Sequence, residues 1–417
     1  QSVKGQTCRA QKKLLNISGV KIFDMKRLVI GYVMAYTPNH NNYGTSLQGF
    51  ALLRKIQHLG YTCEIIRYTK RLSIIQKMSF VINAIRAGES RDLYNRLTYR
   101  RVLRKYPSYA SCIQTRTKAV NEYKEKKFMP FFHEYVGYEA LHEGSKNYSA
   151  VIVGSDQVWT PMSLPNKFFN LLFVDDSIPK IAYASSFGVS EIPNFQRSAT
   201  SKYLNRFYRI GVREIRGKEI VEDLSNQSAK VVVDPTLLLT REEWEDEIRK
   251  TQTNEKEPYI FCYFLGTNQQ ARKAANELKI KTGYKIIAIR HMDEFVPEDE
   301  KFGDEAPYSV DPNDFIRYIS NAAFVCTDSF HCSVFSILFH RKFMTFYRFV
   351  SASKTGRNSR IDSLFSLLGI SRKHIYTGGD IIESINEPIN WIEVDENLNN
   401  LRIESISFLH EALSYNG

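Results

Sequence analysis

The stretch Val151-Ile152-Val153-Gly154-Ser155-Asp156-Gln157-Val158-Trp159 constrains this chain more than any other. Three β-branched residues run without a polar break into glycine, serine and aspartate. An unbroken apolar run of that kind suits a strand buried on both faces, as in a parallel sheet. Open α/β sheets bind ligands just outside the carboxyl ends of their strands. Gly154 lets the chain turn and lets a ligand approach the backbone closely. Ser155 and Asp156 can hydrogen-bond a sugar there, or can simply cap the turn that follows.

The surrounding chain repeats the alternation. Arg27 to Tyr36 reads as a strand, 39–44 as a polar loop, Leu47 to Leu59 as a helix closed by Gly60, and Cys63 to Ile66 as a second strand. This βαβ opening favours a parallel sheet and brings the loop at 39–46 to the same crevice as Gly154. Tyr43, Ser46 and Gln48 are then ligand contacts, or else loop and cap residues. Ile181 to Ser185 and Val231 to Val233 continue the first half, and Pro235 ends the latter because proline cannot donate to a ladder. The charged segment 241–257 reads as a surface helix and linker. Tyr259 to Leu265 then opens a second unit, with a helix near 270–281 and strands at Lys285 to Arg290 and Phe324 to Cys326.

The expected fold class is α/β, with two Rossmann-like domains facing across a cleft. The first spans 25–245, the second 256–395, and a C-terminal helix occupies 396–417. Residues 1–24 read as an upstream extension with no function assigned. No Gly-x-Gly-x-x-Gly or P-loop is present, so dinucleotide and nucleoside triphosphate readings lack a phosphate cradle.

Charge marks out one further region. The net charge is +12, and residues 66–127 alone hold 16 Lys+Arg against 4 Asp+Glu. A localised basic block points to an anionic partner. It falls in a stretch, 67–145, that breaks the α/β rhythm and reads as a basic helical insertion in the first domain. Leu72, Ile75, Met78, Ile82 and Ile85 lie on one face of its first helix. Such a helix can rest on an anionic membrane surface, or stand as a solvated hairpin. No nucleic-acid-binding signature accompanies the charge, so nucleic acid is not expected as a partner. The six cysteines form no Cys-x-x-Cys pair, which argues against a zinc or redox site and for reduced thiols in a cytoplasm. No apolar run reaches the ~18 residues of a membrane span.

Several motifs carry a resemblance. Asn42-Tyr43-Gly44-Thr45-Ser46-Leu47-Gln48, Gly154-Ser155-Asp156-Gln157-Val158-Trp159, Tyr183-Ala184-Ser185-Ser186-Phe187-Gly188, Val212-Arg213-Glu214, Asp234-Pro235-Thr236-Leu237 and Thr327-Asp328-Ser329-Phe330-His331 occur in an order that resembles the polysaccharide pyruvyltransferase family. The resemblance implies a GT-B-like pair of domains. It also implies transfer of the enolpyruvyl carbons of phosphoenolpyruvate to two hydroxyls of a sugar, giving a cyclic ketal and phosphate. No metal or other cofactor is implied. The implied acceptor belongs to bacterial surface polysaccharide, on a polyprenyl-diphosphate-linked glycan at the inner face of the cell membrane.

On this reading His331 is the general acid, near the start of a helix whose N-terminus favours anions. Arg213 clamps the donor, because a planar guanidinium binds two oxygens of a phosphate or carboxylate at once. Asp156 or Asp328 orients or deprotonates the acceptor, alongside Tyr43, Gln48 and Ser155. Many family members carry arginine where this chain has Ser329 in the donor site. The polar loop from Tyr347 to Arg360 is the expected source of a cationic replacement, through Arg348, Lys354, Arg357 and Arg360. Without the resemblance, His331 is better read as a helix-capping or hydrogen-bonded histidine, and Arg213 can be read as a surface arginine paired with Glu214 or Glu219. The second function class is a nucleotide-sugar glycosyltransferase, since the same two-domain crevice serves that chemistry. A binding protein that has lost catalysis is the third.

Overall fold

The structure is a computed structural model. It describes residues 29–36, 41–70, 78, 81–82, 85–86, 99, 101–249, 257–292, 295–348 and 359–414. Strands β1 (Val29–Val33), β2 (Thr62–Thr69), β3 (Phe132–Val136), β4 (Ala150–Val153), β5 (Lys180–Ser185), β6 (Arg209–Val212) and β7 (Ala229–Val231) form one sheet in the order β3-β2-β1-β4-β5-β6-β7. Strands β8 (Tyr259–Tyr263), β9 (Lys285–Ala288), β10 (Phe324–Thr327), β11 (Lys342–Phe346) and β12 (Ile375–Tyr376) form a second, in the order β12-β11-β10-β8-β9. The paired strands run parallel in both sheets. These are two Rossmann-like halves in a GT-B-like arrangement.

Each half has one point where strand order reverses: between β1 and β4 in the first, and between β8 and β10 in the second. Loops leaving those strand ends diverge and open a crevice. In the first half they carry Asn42 to Ser46 and Gly154 to Trp159. In the second they carry Leu265, Gly266, Asp328 and Ser329. Asp328 ties its two loops together by accepting from the backbone N–H groups of Leu265 at 2.6 Å and Gly266 at 2.8 Å.

Residues 132–136, expected inside a helical insertion, instead form the edge strand β3 beside β2. Their side chains are mostly exposed, with Tyr135 turned inward. The polar His133 and Glu134 hide this strand from an apolar pattern, and the basic surroundings favour a helical reading. The insertion therefore ends before β3, with its long helix at Pro107–Phe128. The helix at Arg241–Ile248, read as a surface element, is anchored by the fully buried Trp244, whose indole N–H donates to the Thr236 carbonyl at 2.9 Å.

One continuous cluster of buried side chains runs through both halves, while the outer face of each sheet has its own. The joint between the halves is thus largely apolar. Tyr43, from the first helix, stacks on Phe315 of the second half with centroids 4.6 Å apart. Its hydroxyl donates to the Val310 carbonyl at 3.0 Å. Arg116 of the insertion helix is 1% exposed and donates to the carbonyls of Tyr308 and Pro307, each at 2.8 Å. The last helix, Trp391–Leu413, crosses back onto the first half. There Ser405 accepts from the Val233 N–H at 3.0 Å, Arg402 donates to the Leu237 carbonyl at 2.7 Å, and Phe408 packs near Tyr183.

Arg116 makes the joint testable. Replacing it by methionine keeps much of the bulk but leaves two partly buried carbonyls without donors, at up to about 1–3 kcal/mol each. Arg116→Met should lower the midpoint of urea unfolding clearly below that of wild type, whereas Lys118→Met, an exposed neighbour on the same helix, should not.

Candidate functional site

Gly154 directs β4 into the crevice. Its φ is +148°, and a Cβ there would lie 1.9 Å from the Tyr183 carbonyl oxygen, so the position excludes any other residue. Two residues on, Asp156 accepts from the Thr45 hydroxyl at 3.0 Å. Thr45 is held in turn by the helix Tyr43–His58, whose N-cap Asn42 accepts from the Thr45 N–H at 3.2 Å. Strand β6 ends at Val212 and delivers Arg213 between two carboxylates. One guanidinium nitrogen donates to Asp234 at 2.8 Å and the other to Asp156 at 3.4 Å. Asp234 also accepts from the Thr236 N–H and hydroxyl, at 3.0 and 2.7 Å.

The second half closes the site. Ser329 caps the helix Phe330–Leu338, which places Phe330 and His331 in its first turn. His331 Nε2 lies 3.5 Å from Asp234. Its ring rests against the backbone of Gly44, where a Cβ would come within 2.0 Å of Nδ1. The Phe330 ring faces the Arg213 guanidinium at 4.7 Å and that of Arg360 at 5.7 Å. Arg360 comes within 4.0 Å of Asp156. Thr45, Asp156, Arg213 and Asp234 of the first half thereby meet Phe330, His331 and Arg360 of the second.

Electrostatics follow from that packing. Burial raises the Asp156 pKa, but Arg213, His331 and Arg360 overcome this and bring it down to about 2. Asp234 is likewise pushed up by burial, yet His331 and Arg213 hold it well below the usual carboxylate range. Burial lowers the Arg213 pKa, but Asp234 and Asp156 outweigh it and leave the guanidinium more firmly charged. Arg360 goes the other way. Burial and the nearby charge of Arg213 lower it to about 10, which Asp156 and Glu214 only partly oppose. Burial raises the pKa of Glu214, whose carboxylate accepts from the Ser186 hydroxyl at 2.7 Å.

Of the residues singled out in the sequence, Asp156, Arg213, His331 and Arg360 come together. Five others turn inward. Tyr43 belongs to the joint between the halves rather than to an acceptor surface. The Ser155 hydroxyl donates to the Ala184 carbonyl at 2.8 Å. Asp328 is committed to the Leu265 and Gly266 N–H groups, and Ser329 to its helix cap. Gln48 is 1% exposed, and its side-chain amide has no hydrogen-bond partner among the described residues. Arg357 lies outside the described residues. Asp234, Thr45, Glu214 and Phe330 stand inside the quoted motifs but carry no site role in the sequence reading. For Asp234 a signal existed, an acid closing an apolar strand immediately before proline. For the others the only signal is membership of a motif, because the contacts that bring them to the site are long-range.

The family model for polysaccharide pyruvyl transferase matches residues 42–348. The chain belongs to that family. The matched region of this pyruvyl transferase begins at the N-cap Asn42 and ends at Arg348. It therefore contains Asp156, Arg213, Asp234 and His331 but not Arg360. A search of curated proteins finds no match. Among solved structures, UDP-GlcNAc 2-epimerase from Neisseria meningitidis, bound to UDP-GlcNAc, aligns with a TM-score of 0.47 and 10% identity, covering 92% of this chain and 99% of that one. The Methanocaldococcus jannaschii UDP-GlcNAc 2-epimerase gives 0.46 and 10%, covering 90% and 99%. E. coli ADP-heptose LPS heptosyltransferase II gives 0.32 and 11%, covering 90% and 98%.

The depressed pKa of Asp156 gives the pyruvyl transferase a defined acid response. A carboxylate held at about 2 in the folded protein, against ~3.9 unfolded, contributes stability that is complete above roughly pH 4. That contribution is lost as pH falls through the folded value. The stability difference between wild type and Asp156→Asn should be constant from pH 7 to about 5 and shrink steadily below pH 4, as read by urea unfolding at each pH. A difference that does not change with pH would mean that the carboxylate is not held by the arginines.

Proposed function

We propose that this pyruvyl transferase moves the enolpyruvyl carbons of phosphoenolpyruvate onto two hydroxyls of a sugar, forming a cyclic ketal and releasing phosphate. The observation that carries the reading is the placement of Arg360. It is a buried guanidinium whose nearest carboxylate contact in the site is the long one to Asp156, and its Nε has no hydrogen-bond partner among the described residues. A second cation held beside Arg213 on such terms suits an incoming anion.

Each residue then has a role. His331, oriented by Asp234 and seated against Gly44, gives a proton to the methylene carbon of the donor. The adjacent carbon becomes electrophilic and takes the first sugar hydroxyl. Arg213 and Arg360 hold the phosphate and carboxylate while charge shifts between them. The proton of the first hydroxyl passes to Asp156, and that of the second leaves with phosphate. A carboxylate with a pKa of about 2 is a weak base. Donor binding supplies the remedy, because an anion that takes Arg360 loosens its hold on Asp156 and raises that pKa. Arg360 replaces the cation missing at Ser329.

Phosphate release on mixing the protein with phosphoenolpyruvate and a candidate glycan tests the reaction. A glycosyltransferase would release a nucleotide from a nucleotide sugar instead. His331→Ala and Arg213→Ala should each lower kcat/KM by at least about a hundredfold with the fold retained, a barrier change near 3 kcal/mol. Arg360→Ala should raise the KM for phosphoenolpyruvate far more than that for the acceptor. Equal effects on both substrates would remove Arg360 from the donor site.

The acceptor is proposed to be a polyprenyl-diphosphate-linked glycan, met at the anionic inner face of the membrane. The support lies in the insertion. Met78, Ile82 and Ile85 are helical and 59%, 51% and 56% exposed, while Leu72 and Ile75 lie outside the described residues. Part of the basic charge is used internally. Arg116 and Lys124 are buried and Lys127 pairs with Glu247. The rest of the block contributes about 1 kcal/mol per residue near an anionic surface, screened by salt over about 8 Å. Among the described residues no helix is long and apolar enough to cross a membrane. The protein should co-sediment with vesicles containing anionic lipid at low salt and be released at high salt. Indifference to those vesicles would leave the block a solvated face.

A further inference from the structure

With Tyr43, Gln48, Ser155 and Asp328 committed to the interior, the site as described offers a sugar little more than Asp156. Among the described residues, a hollow on the joint between the halves lies elsewhere along the same cleft. It measures about 290 Å³ and is shared between the insertion helix, through Tyr109 and Cys112, and the segment after β9, through Arg290, Phe295, Glu300 and Tyr308. The topology places it on the ligand-binding side of both sheets. The insertion leaves the carboxyl end of β2, and Arg290 follows the carboxyl end of β9. Arg116 links the hollow to the joint, its guanidinium 5.9 Å from the ring of the lining residue Tyr308 and 5.5 Å from that of Tyr43.

The lining has the character of a carbohydrate site. Tyr109 is fixed at both ends, its ring edge-on to Phe295 with centroids 5.0 Å apart and its hydroxyl donating to the Met292 carbonyl at 3.2 Å. Arg290 fixes Tyr308 by donating to its hydroxyl at 2.9 Å, and also donates to the Glu300 carbonyl at 3.0 Å. The remaining Nε of Arg290 is buried with no hydrogen-bond partner among the described residues. The Glu300 side chain is exposed at the rim. Rigid half-buried aromatic rings with a few convergent polar groups suit a compact ligand that is apolar on its faces and rich in hydroxyls at its edge. The volume is near the ~300 Å³ lower end of small-molecule sites. We propose that this hollow binds one pyranose unit of the acceptor glycan, with the sugar packed on Tyr109 and its hydroxyls on Arg290 and Glu300. The acceptor role rests on the reaction proposed above, but the binding of a sugar does not.

Cys112 lines the hollow and is partly accessible, whereas Cys63, Cys262, Cys326 and Cys332 are buried. Its alkylation by iodoacetamide, followed peptide by peptide in a mass spectrometer, therefore reports occupancy. The probes are the methyl glycosides of glucose, galactose, mannose, N-acetylglucosamine and N-acetylmannosamine. At least one should slow alkylation of Cys112 about threefold or more, as expected at about twice its dissociation constant. The same glycoside should give a saturation-transfer signal by NMR that is lost in Cys112→Trp, which fills the hollow, and weakened in Tyr109→Ala. Both variants should still show the thermal shift that phosphoenolpyruvate gives wild type. If none of the five protects Cys112, or if the signal persists in both variants, the hollow is not a sugar site. Protection without phosphate release from phosphoenolpyruvate would instead uphold the sugar site and sink the proposed reaction.

Discussion

The salt link of Arg213 with Asp156 and Asp234 holds the centre of this molecule together. All three side chains are largely withdrawn from water, with 2%, 18% and 0% of their surface exposed. Burying one charge costs far more than burying a matched set, and removing a partner leaves the others uncompensated. The arrangement therefore stands or falls as a unit. It also joins parts of the chain that no short-range pattern connects: the ends of β4 and β6 and the turn that follows β7. His331 and Arg360 add to it from the other half, so the position of the two halves and the ionisation of the site are one problem. A cleft that opened would separate His331 from Asp234 and Arg360 from Asp156.

The halves are fixed by more than charge. Inter-domain contacts are usually polar and permit motion, unless they are large and apolar. Here the buried cluster passes from one sheet to the other through Tyr43, Phe315 and Tyr263. The close approach of Gly44 to His331 requires that fixity. A methyl group on Gly44 would meet the imidazole, so the first helix must sit where it does for the histidine to keep its place. Arg116, buried against main-chain carbonyls, links the basic insertion to the same joint.

Much of the fold was legible because buried parallel strands leave continuous β-branched and aromatic runs. Val151 to Val153, Tyr259 to Leu265 and Phe324 to Cys326 are of that kind, and the breaks at Gly60 and Pro235 punctuated them. Strand β3 was illegible because an edge strand with one buried side chain has no such run. The site was legible where a charged or titratable residue closes a strand, as with Asp156 and Arg213, or opens a helix, as with His331. The same reasoning assigned Tyr43, Gln48, Ser155 and Asp328 to a ligand surface. Position at the crevice is visible in sequence, but the direction of a side chain is decided by partners far away, such as Val310 for Tyr43. Ser329 illustrates the limit from the other side: its hydroxyl caps the helix Phe330–Leu338, a role its place beside His331 also allows.

The return of the last helix to the first half sets an order for synthesis. Phe408, Leu409 and Ala412 fill space in the shared core, and Ser405 and Arg402 meet backbone groups of the segment after β7. A ribosome makes the first half early, at about 5–20 residues per second, but those seats stay empty until residues 391–413 emerge. During that interval the first half carries exposed apolar surface and unmet polar groups beside the turn that holds Asp234. The first half thus reaches its final packing only after the last helix of the chain has been made, whatever its own strands have already formed.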